Sequence, residues 1–217
     1  MNKTVKENLR CAKSLIDESE GYIECGNACS KILNSYMHRN NVVKKNNTYS
    51  MKKSITGYLG STAMTYGMGI ETVIKAFIIL NQVENSVINV PKNHNLIKLF
   101  SQIDRESKKK INKKFKNSKT LKEINAKNKK TLSELAIKNT QSDERKAIEM
   151  LFKEYSLPID VLEDSKDIFI KLRYFHEKNR QNKSVRPDYI NELHGILRDV
   201  AIEKYKKLEL SYSIDDN

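Results

Sequence analysis

The sequence predicts an all-α protein, a compact bundle of about five to six helices in a single domain spanning residues 1–217. Two observations carry that prediction. Only 7 Gly and 3 Pro occur in 217 residues, too few turn-formers for a sandwich, a barrel or a Rossmann fold. Apolar residues also recur at spacings of three and four, the period of a helix that buries one face. A chain of 25.2 kDa can bury roughly 70% of its unfolded surface, so the core needs no disulfide or metal staple.

Taken in order, Leu9, Ala12, Leu15, Ile16, Tyr22, Ile23, Ala28, Ile32, Leu33 and Tyr36 predict an N-terminal helix over residues 4–37, either continuous or broken at Gly21 or Gly26. The polar stretch His38–Tyr49, with Asn40-Asn41 and Asn46-Asn47, reads as a loop. A second helix carries Leu59, Ala63, Tyr66, Ile70, Val73, Ile74, Phe77 and Leu80 on one stripe. Gly57, Gly60, Gly67 and Gly69 in its first half cost about 1 kcal/mol each relative to Ala, a cost that close helix packing can offset. Asn81–Asn93 is a connection with a brief extended piece at Val87–Val90. A third helix, capped by Asn93 or Asn95, runs through Leu96, Leu99, Phe100 and Ile103 to Ile111 and Phe115. Beyond Ser118 the apolar pattern thins. It recovers in a fourth helix capped by Ser142 and reaching Tyr155, which Pro158 should end. A fifth helix is expected over Asp164–Asn179 and a sixth from Pro187 onward.

Charge is distributed unevenly. The chain has 40 Lys plus Arg against 27 Asp plus Glu, a net +13, and the Arg105–Lys130 stretch holds twelve of the bases with two acids, so ten of the thirteen excess charges lie there. Lys108, Lys109, Lys110, Lys113, Lys114 and Lys116 form its dense part. Such a strip can neutralise phosphates and bind nucleic acid without regard to sequence. It also fits a solvated, flexible segment, because Phe115 is the one aromatic residue within it.

The composition argues against several classes of chemistry. No glycine-rich phosphate loop, nucleophile elbow or His-Glu-x-x-His occurs, so no cofactor is expected. Cys25-x3-Cys29 with Cys11 and His38 lacks the second close pair of a structural zinc site. The three cysteines therefore read as small buried hydrophobes, reduced in a cytoplasmic chain. No secretory leader pattern opens at Met1, and the longest apolar run, Ala76–Leu80, has five residues, so no membrane span is expected.

Two charged pairs interrupt apolar helices. Glu71 and Lys75 are four apart, Arg173 and Glu177 are four apart with His176 between them, and the charge order is opposite in the two pairs. If the two helices pack side by side, the four groups can alternate in sign across the contact, with His94 joining them. Separate surface pairs worth roughly 0.2–0.5 kcal/mol each are the other arrangement.

Three fragments, in order along the chain, resemble the HEPN family of helical domains. Gly67–Phe77, with Ile70-Glu71 and Lys75-Ala76, is similar to the second-helix signature of that family. Asn93–Phe100 resembles the His-Asp-Leu-x-x-Leu that opens the next helix, with Asn95 in place of the usual Asp. Phe169–Glu177 resembles the later Phe-x-x-x-Arg-Tyr-x-x-Glu. The resemblance covers about residues 53–205, with the 4–37 helix packing on that part. It implies a bundle that often dimerises and acts in prokaryotic defence, toxin–antitoxin or RNA-processing systems.

Many HEPN proteins are metal-independent ribonucleases whose signature is an Arg followed by four to six residues and a His. This chain departs from it. Arg173 precedes His176 by a gap of two, and Arg186 precedes His194 by a gap of seven. The leading expectation is binding of RNA or a nucleotide through a groove near Lys75, His94, Arg173 and His176, aided by the basic strip. The alternatives are an endoribonuclease with Arg173 and His176 as a rearranged catalytic pair, since residues three apart can reach one phosphate, and a dimerising module that binds a partner protein.

Overall fold

The chain's first helix runs unbroken from Lys3 to Val42 (α1), and the second is Tyr49–Asn81 (α2). The computed structural model describes residues 3–42, 49–92, 94–138, 153–173 and 186–214. Asn40 and Asn41 continue α1 instead of opening a loop. The two helices are antiparallel: Asn8 Nδ2 donates to the Val83 carbonyl at 2.8 Å near one end, and the Tyr36 and Tyr58 rings stack at 5.6 Å toward the other.

Two glycines set how closely α1 and α2 approach. A Cβ added at Gly69 would lie 2.8 Å from Ile23 Cδ1 and 3.1 Å from the Ser19 carbonyl, and one at Gly26 would lie 2.7 Å from the Tyr66 ring. Packing does offset the propensity cost there. It does not at Gly60, where nothing among the described residues lies within 4 Å of the added atom. Gly69→Ala is therefore expected to lower stability by about 1–2 kcal/mol, whereas Gly60→Ala should raise it by up to about 1 kcal/mol. Urea unfolding of the two variants checks both signs.

The third predicted helix is two helices, Leu96–Ser101 (α3) and Arg105–Asn117 (α4). Asn95 caps the first, its side chain accepting from the Lys98 amide at 3.0 Å. Asp104 caps the second, accepting from the Ser107 amide at 2.8 Å while Lys204 donates to its other oxygen at 2.7 Å. A side chain that satisfies the first free amides starts a helix afresh. That is why the apolar series from Leu96 to Phe115 is interrupted.

Ser118 ends α4 and opens Lys119–Lys138 (α5), its hydroxyl oxygen accepting from the Leu121 amide at 3.1 Å. This stretch looked empty in sequence because Asn125 and Asn128 turn inward beside Leu121 and Ile124, so its buried face is half polar. The basic strip is thus two helices rather than a flexible segment.

Pro158 begins a helix instead of ending one. Pro158–Arg173 (α6) has its proline in the first helical position, where the missing amide hydrogen costs nothing. The expected Asp164 start is six residues late, and any continuation to Asn179 falls outside the described residues. Most of the predicted fourth helix does too. Its last part, Lys153–Ser156, is not helical. Pro187–Ile214 (α7) completes the fold as expected. No strand occurs among the described residues, and Val87, in the supposed extended piece, is 78% exposed.

The core gathers Tyr66, Ile70, Val73, Ile74 and Phe77 of α2 against Leu96, Leu99, Ile111 and Phe115 of α3 and α4, Val161 and Leu162 of α6, and Leu193, Leu197 and Val200 of α7. Leu59, at the head of the predicted stripe, is left exposed. A satellite cluster of Val5, Leu9, Ala12, Ile79, Leu80 and Val83 closes the end where α1 starts. Gly57–Asn81 is long and apolar enough, by length and composition, to cross a membrane, so the longest unbroken run understated its apolar character. Two thirds of it is packed inside the fold. Cys11 and Cys25 are exposed and Cys29 is half-buried, so these cysteines are not core residues.

Candidate nucleic-acid interface

Of the polar network expected between α2 and α6, the described residues show only the α2 members meeting His94. Glu71 and Lys75 lie one turn apart on α2, and Lys75 Nζ donates to Glu71 Oε1 at 2.6 Å. His94, in the segment leading to α3, places Nδ1 3.0 Å from both oxygens of the same carboxylate. Glu71 is well covered, its side chain 15% exposed, while His94 is 49% exposed. A single carboxylate thus holds both the Lys75 ammonium and the His94 ring, so neither is turned outward to a phosphate. The geometry ties the α3 segment to α2. Helix α6 does pack on α2, as the network requires. Arg173 is its last described residue, and the Arg173 side chain, His176 and Glu177 lie outside the described residues.

The other Arg and His pair serves two different contacts. Arg186 stacks its guanidinium over the Tyr189 ring at 4.9 Å. His194 is buried between α1 and α7, with Nε2 2.9 Å from Ser19 Oγ. The Ser19 hydroxyl hydrogen goes to the Ile16 carbonyl at 2.6 Å, so the hydroxyl oxygen accepts and His194 carries its proton on Nε2. Burial, reinforced by the nearby Arg198 charge, pushes the His194 imidazole down to about 4. A neutral histidine bonded in a helix seam is a packing residue.

The basic strip is where the structure concentrates available charge. Helix α4 buries Ser107, Ile111 and Phe115. Lys110 and Lys114, flanking that face, pair with Glu203 on α7, the latter at 2.8 Å, and Lys114 also approaches Asp199 at 4.0 Å. Those hydrogen bonds hold the Glu203 carboxyl below its usual range. Lys108 Nζ donates to the Ser101 carbonyl at 2.9 Å. Half of the predicted strip is therefore spent on holding α4 in place.

The remaining cations of α4 form a line. Arg105, Lys109, Lys113 and Lys116 recur every three or four residues, are all exposed, and have no ion-pair partner among the described residues. They present about one positive charge per turn over about 16 Å of helix. Glu106 is the one acid in the helix. The sequence signal for this division was the phase of each lysine relative to Ile111 and Phe115, which a net count over the strip does not register.

Two concavities flank α4. The larger, about 510 Å³, lies beside Asn81, Asp104 and Lys204. Its polar groups satisfy one another, Lys204 donating to Asn81 Oδ1 at 2.5 Å as well as to Asp104. Burial works against the Asp104 carboxylate, but the bonds from Lys204 and the Ser107 amide outweigh it and hold its carboxyl down at about 2. This knot joins α2, α4 and α7. The smaller, about 340 Å³, opens at the α4–α5 corner beside Lys116, Lys122 and Tyr155.

No group of three or more His, Cys, Asp or Glu positioned to hold a metal occurs among the described residues. No family model, curated protein or solved structure matches the chain.

Proposed function

We propose that this chain is a HEPN-like helical protein that binds RNA through the solvent face of α4, in the defence, toxin–antitoxin or stress setting that the resemblance implies. The observation that carries the reading is the division of the basic strip. Lys110 and Lys114 are paired with Glu203 on α7, while Arg105, Lys109, Lys113 and Lys116 stay exposed on a helix anchored by Ile111 and Phe115. A fixed row of cations attracts a polyanion without the ordering cost that a flexible lysine-rich segment incurs. The Glu71, Lys75 and His94 cluster, by contrast, supports the fold around this face.

Retardation of a labelled 12-nucleotide RNA between about 50 and 200 mM salt tests the reading. Four phosphate contacts on a single strand predict a log–log salt slope of about −3. A Lys109→Glu, Lys113→Glu double variant should bind at least tenfold more weakly with a shallower slope. Wild-type protein that leaves RNA unretarded at the lower salt would refute the proposal. Sequencing the RNA ends in the same samples, with an Arg173→Ala, His176→Ala variant as control, shows whether binding leads to cleavage.

A further inference from the structure

We infer that the cavity at the α4–α5 corner is a base-capture subsite, which takes one unpaired nucleobase from a single strand whose phosphates lie along α4. The inference rests on the RNA-binding reading above. At about 340 Å³ the cavity falls at the small end of the range for ligand pockets.

Its walls come from three places. The end of α4 supplies Phe115 and Lys116, the first half of α5 supplies Leu121, Lys122 and Asn125, and the non-helical segment before α6 supplies Tyr155. Phe115, Leu121 and Tyr155 make the interior apolar and partly aromatic, the surroundings that a planar base prefers. Tyr155 is held rigidly. Its hydroxyl donates to Asp164 Oδ2 at 2.9 Å, and its ring meets Tyr189 edge-on at 4.7 Å between centroids.

Five of the eight lining residues are polar or charged, and two of them, Asn125 and Glu154, suit a base edge. Asn125 Oδ1 accepts from the Tyr189 hydroxyl, which fixes the amide and leaves its Nδ2 hydrogens without a partner among the described residues. Glu154, at the same cavity, supplies an acceptor. The Asn125 donor and the Glu154 acceptor, beside the edges of Phe115, Leu121 and Tyr155, match the mixed edges of nucleobases.

Position completes the argument. Lys116 is both the last cation of the α4 row and a residue of the cavity, and Lys122 adds a second exposed cation there with no ion-pair partner among the described residues. A strand following the row is thus brought to the opening with a phosphate near Lys116. The adjacent base then has one apolar concavity to enter. The row supplies attraction indifferent to sequence, and the cavity supplies a preference for strands with unstacked bases.

The test compares a labelled 12-nucleotide RNA with an abasic strand of equal length and charge, each titrated by fluorescence anisotropy against wild type and Ser156→Trp. Ser156 is exposed and lines the cavity, so an indole there fills the space, and circular dichroism verifies that the variant keeps its helices. The base-bearing strand should bind wild type about tenfold more tightly than the abasic one, and Ser156→Trp should erase the difference. Equal affinity of wild type for the two strands, or a preference that survives Ser156→Trp, would overturn the subsite while leaving RNA binding by α4 intact. Failure of both strands to bind would instead remove the RNA-binding reading on which the subsite rests.

Discussion

Lowering the pH from about 7 to about 4 is expected to remove about 3 kcal/mol of stability through His194 alone. In the unfolded chain this imidazole takes a proton near its ordinary value of 6.5, whereas in the fold burial and then the Arg198 charge hold it down to about 4. Between those values the unfolded state binds a proton that the native state refuses. Stability is therefore complete above about pH 6.5 and declines as the pH falls toward 4.

Among the described residues Arg198 is the one charged group that acts on His194, and it is itself paired with Glu20 across α1 and α7 at 2.7 Å. Asp104 contributes in a different window. Its stabilisation is present above its unfolded value of 3.8 and is lost only as the pH drops toward 2. His194→Gln, whose amide can still donate to Ser19, isolates the effect. Urea unfolding at about pH 7 and pH 4 should show the wild type losing about 3 kcal/mol more than the variant. Parallel losses would show that His194 does not carry the dependence.

Asn191→Ala is the second large expectation, a loss of about 2–3 kcal/mol. Asn27 and Asn191 exchange hydrogen bonds across the α1–α7 seam, at 3.0 Å in one direction and 2.9 Å in the other. Tyr66, fully buried, donates to the same Asn27 oxygen at 2.7 Å, and Asn191 also donates to the Pro187 carbonyl at 2.9 Å. Removing Asn191 leaves the Asn27 amide hydrogens without their acceptor in a partly buried seam, and an unmet donor costs more than a formed bond contributes. The double variant Asn27→Ala, Asn191→Ala should therefore cost less than the two single changes added together, by about 1 kcal/mol. Strict additivity in unfolding free energy would show that the two amides do not act as a pair.

This seam shows where reading the sequence stops. Asn27, Asn191, Ser19 and His194 sit at helical positions with nothing in their spacing to mark them, since the partners they meet across the seam lie more than 160 residues away. Glu71, Lys75 and His94 were legible because two of them are one turn apart and the third opens the next helix. Their meeting could be anticipated, though not that one carboxylate would hold both partners. Pro158 was misread because a proline serves at either end of a helix, and Leu157, Pro158 and Asp160 open α6 only where a new helix can pack on α2 and α3.

What the sequence determined by itself was local and additive. Few glycines and prolines, and apolar residues in step with the helix, required an all-helical chain, while the composition of residues 105–130 required a positive surface somewhere. Tertiary structure decided which lysines remain available. Lys110 and Lys114 are paired with Glu203 because α7 runs beside α4, and Lys109, Lys113 and Lys116 have no ion-pair partner among the described residues because the buried face of Ile111 and Phe115 turns them toward solvent. Net charge is a sum over residues. A binding face depends on orientation, and orientation is set by which distant apolar groups a helix must bury.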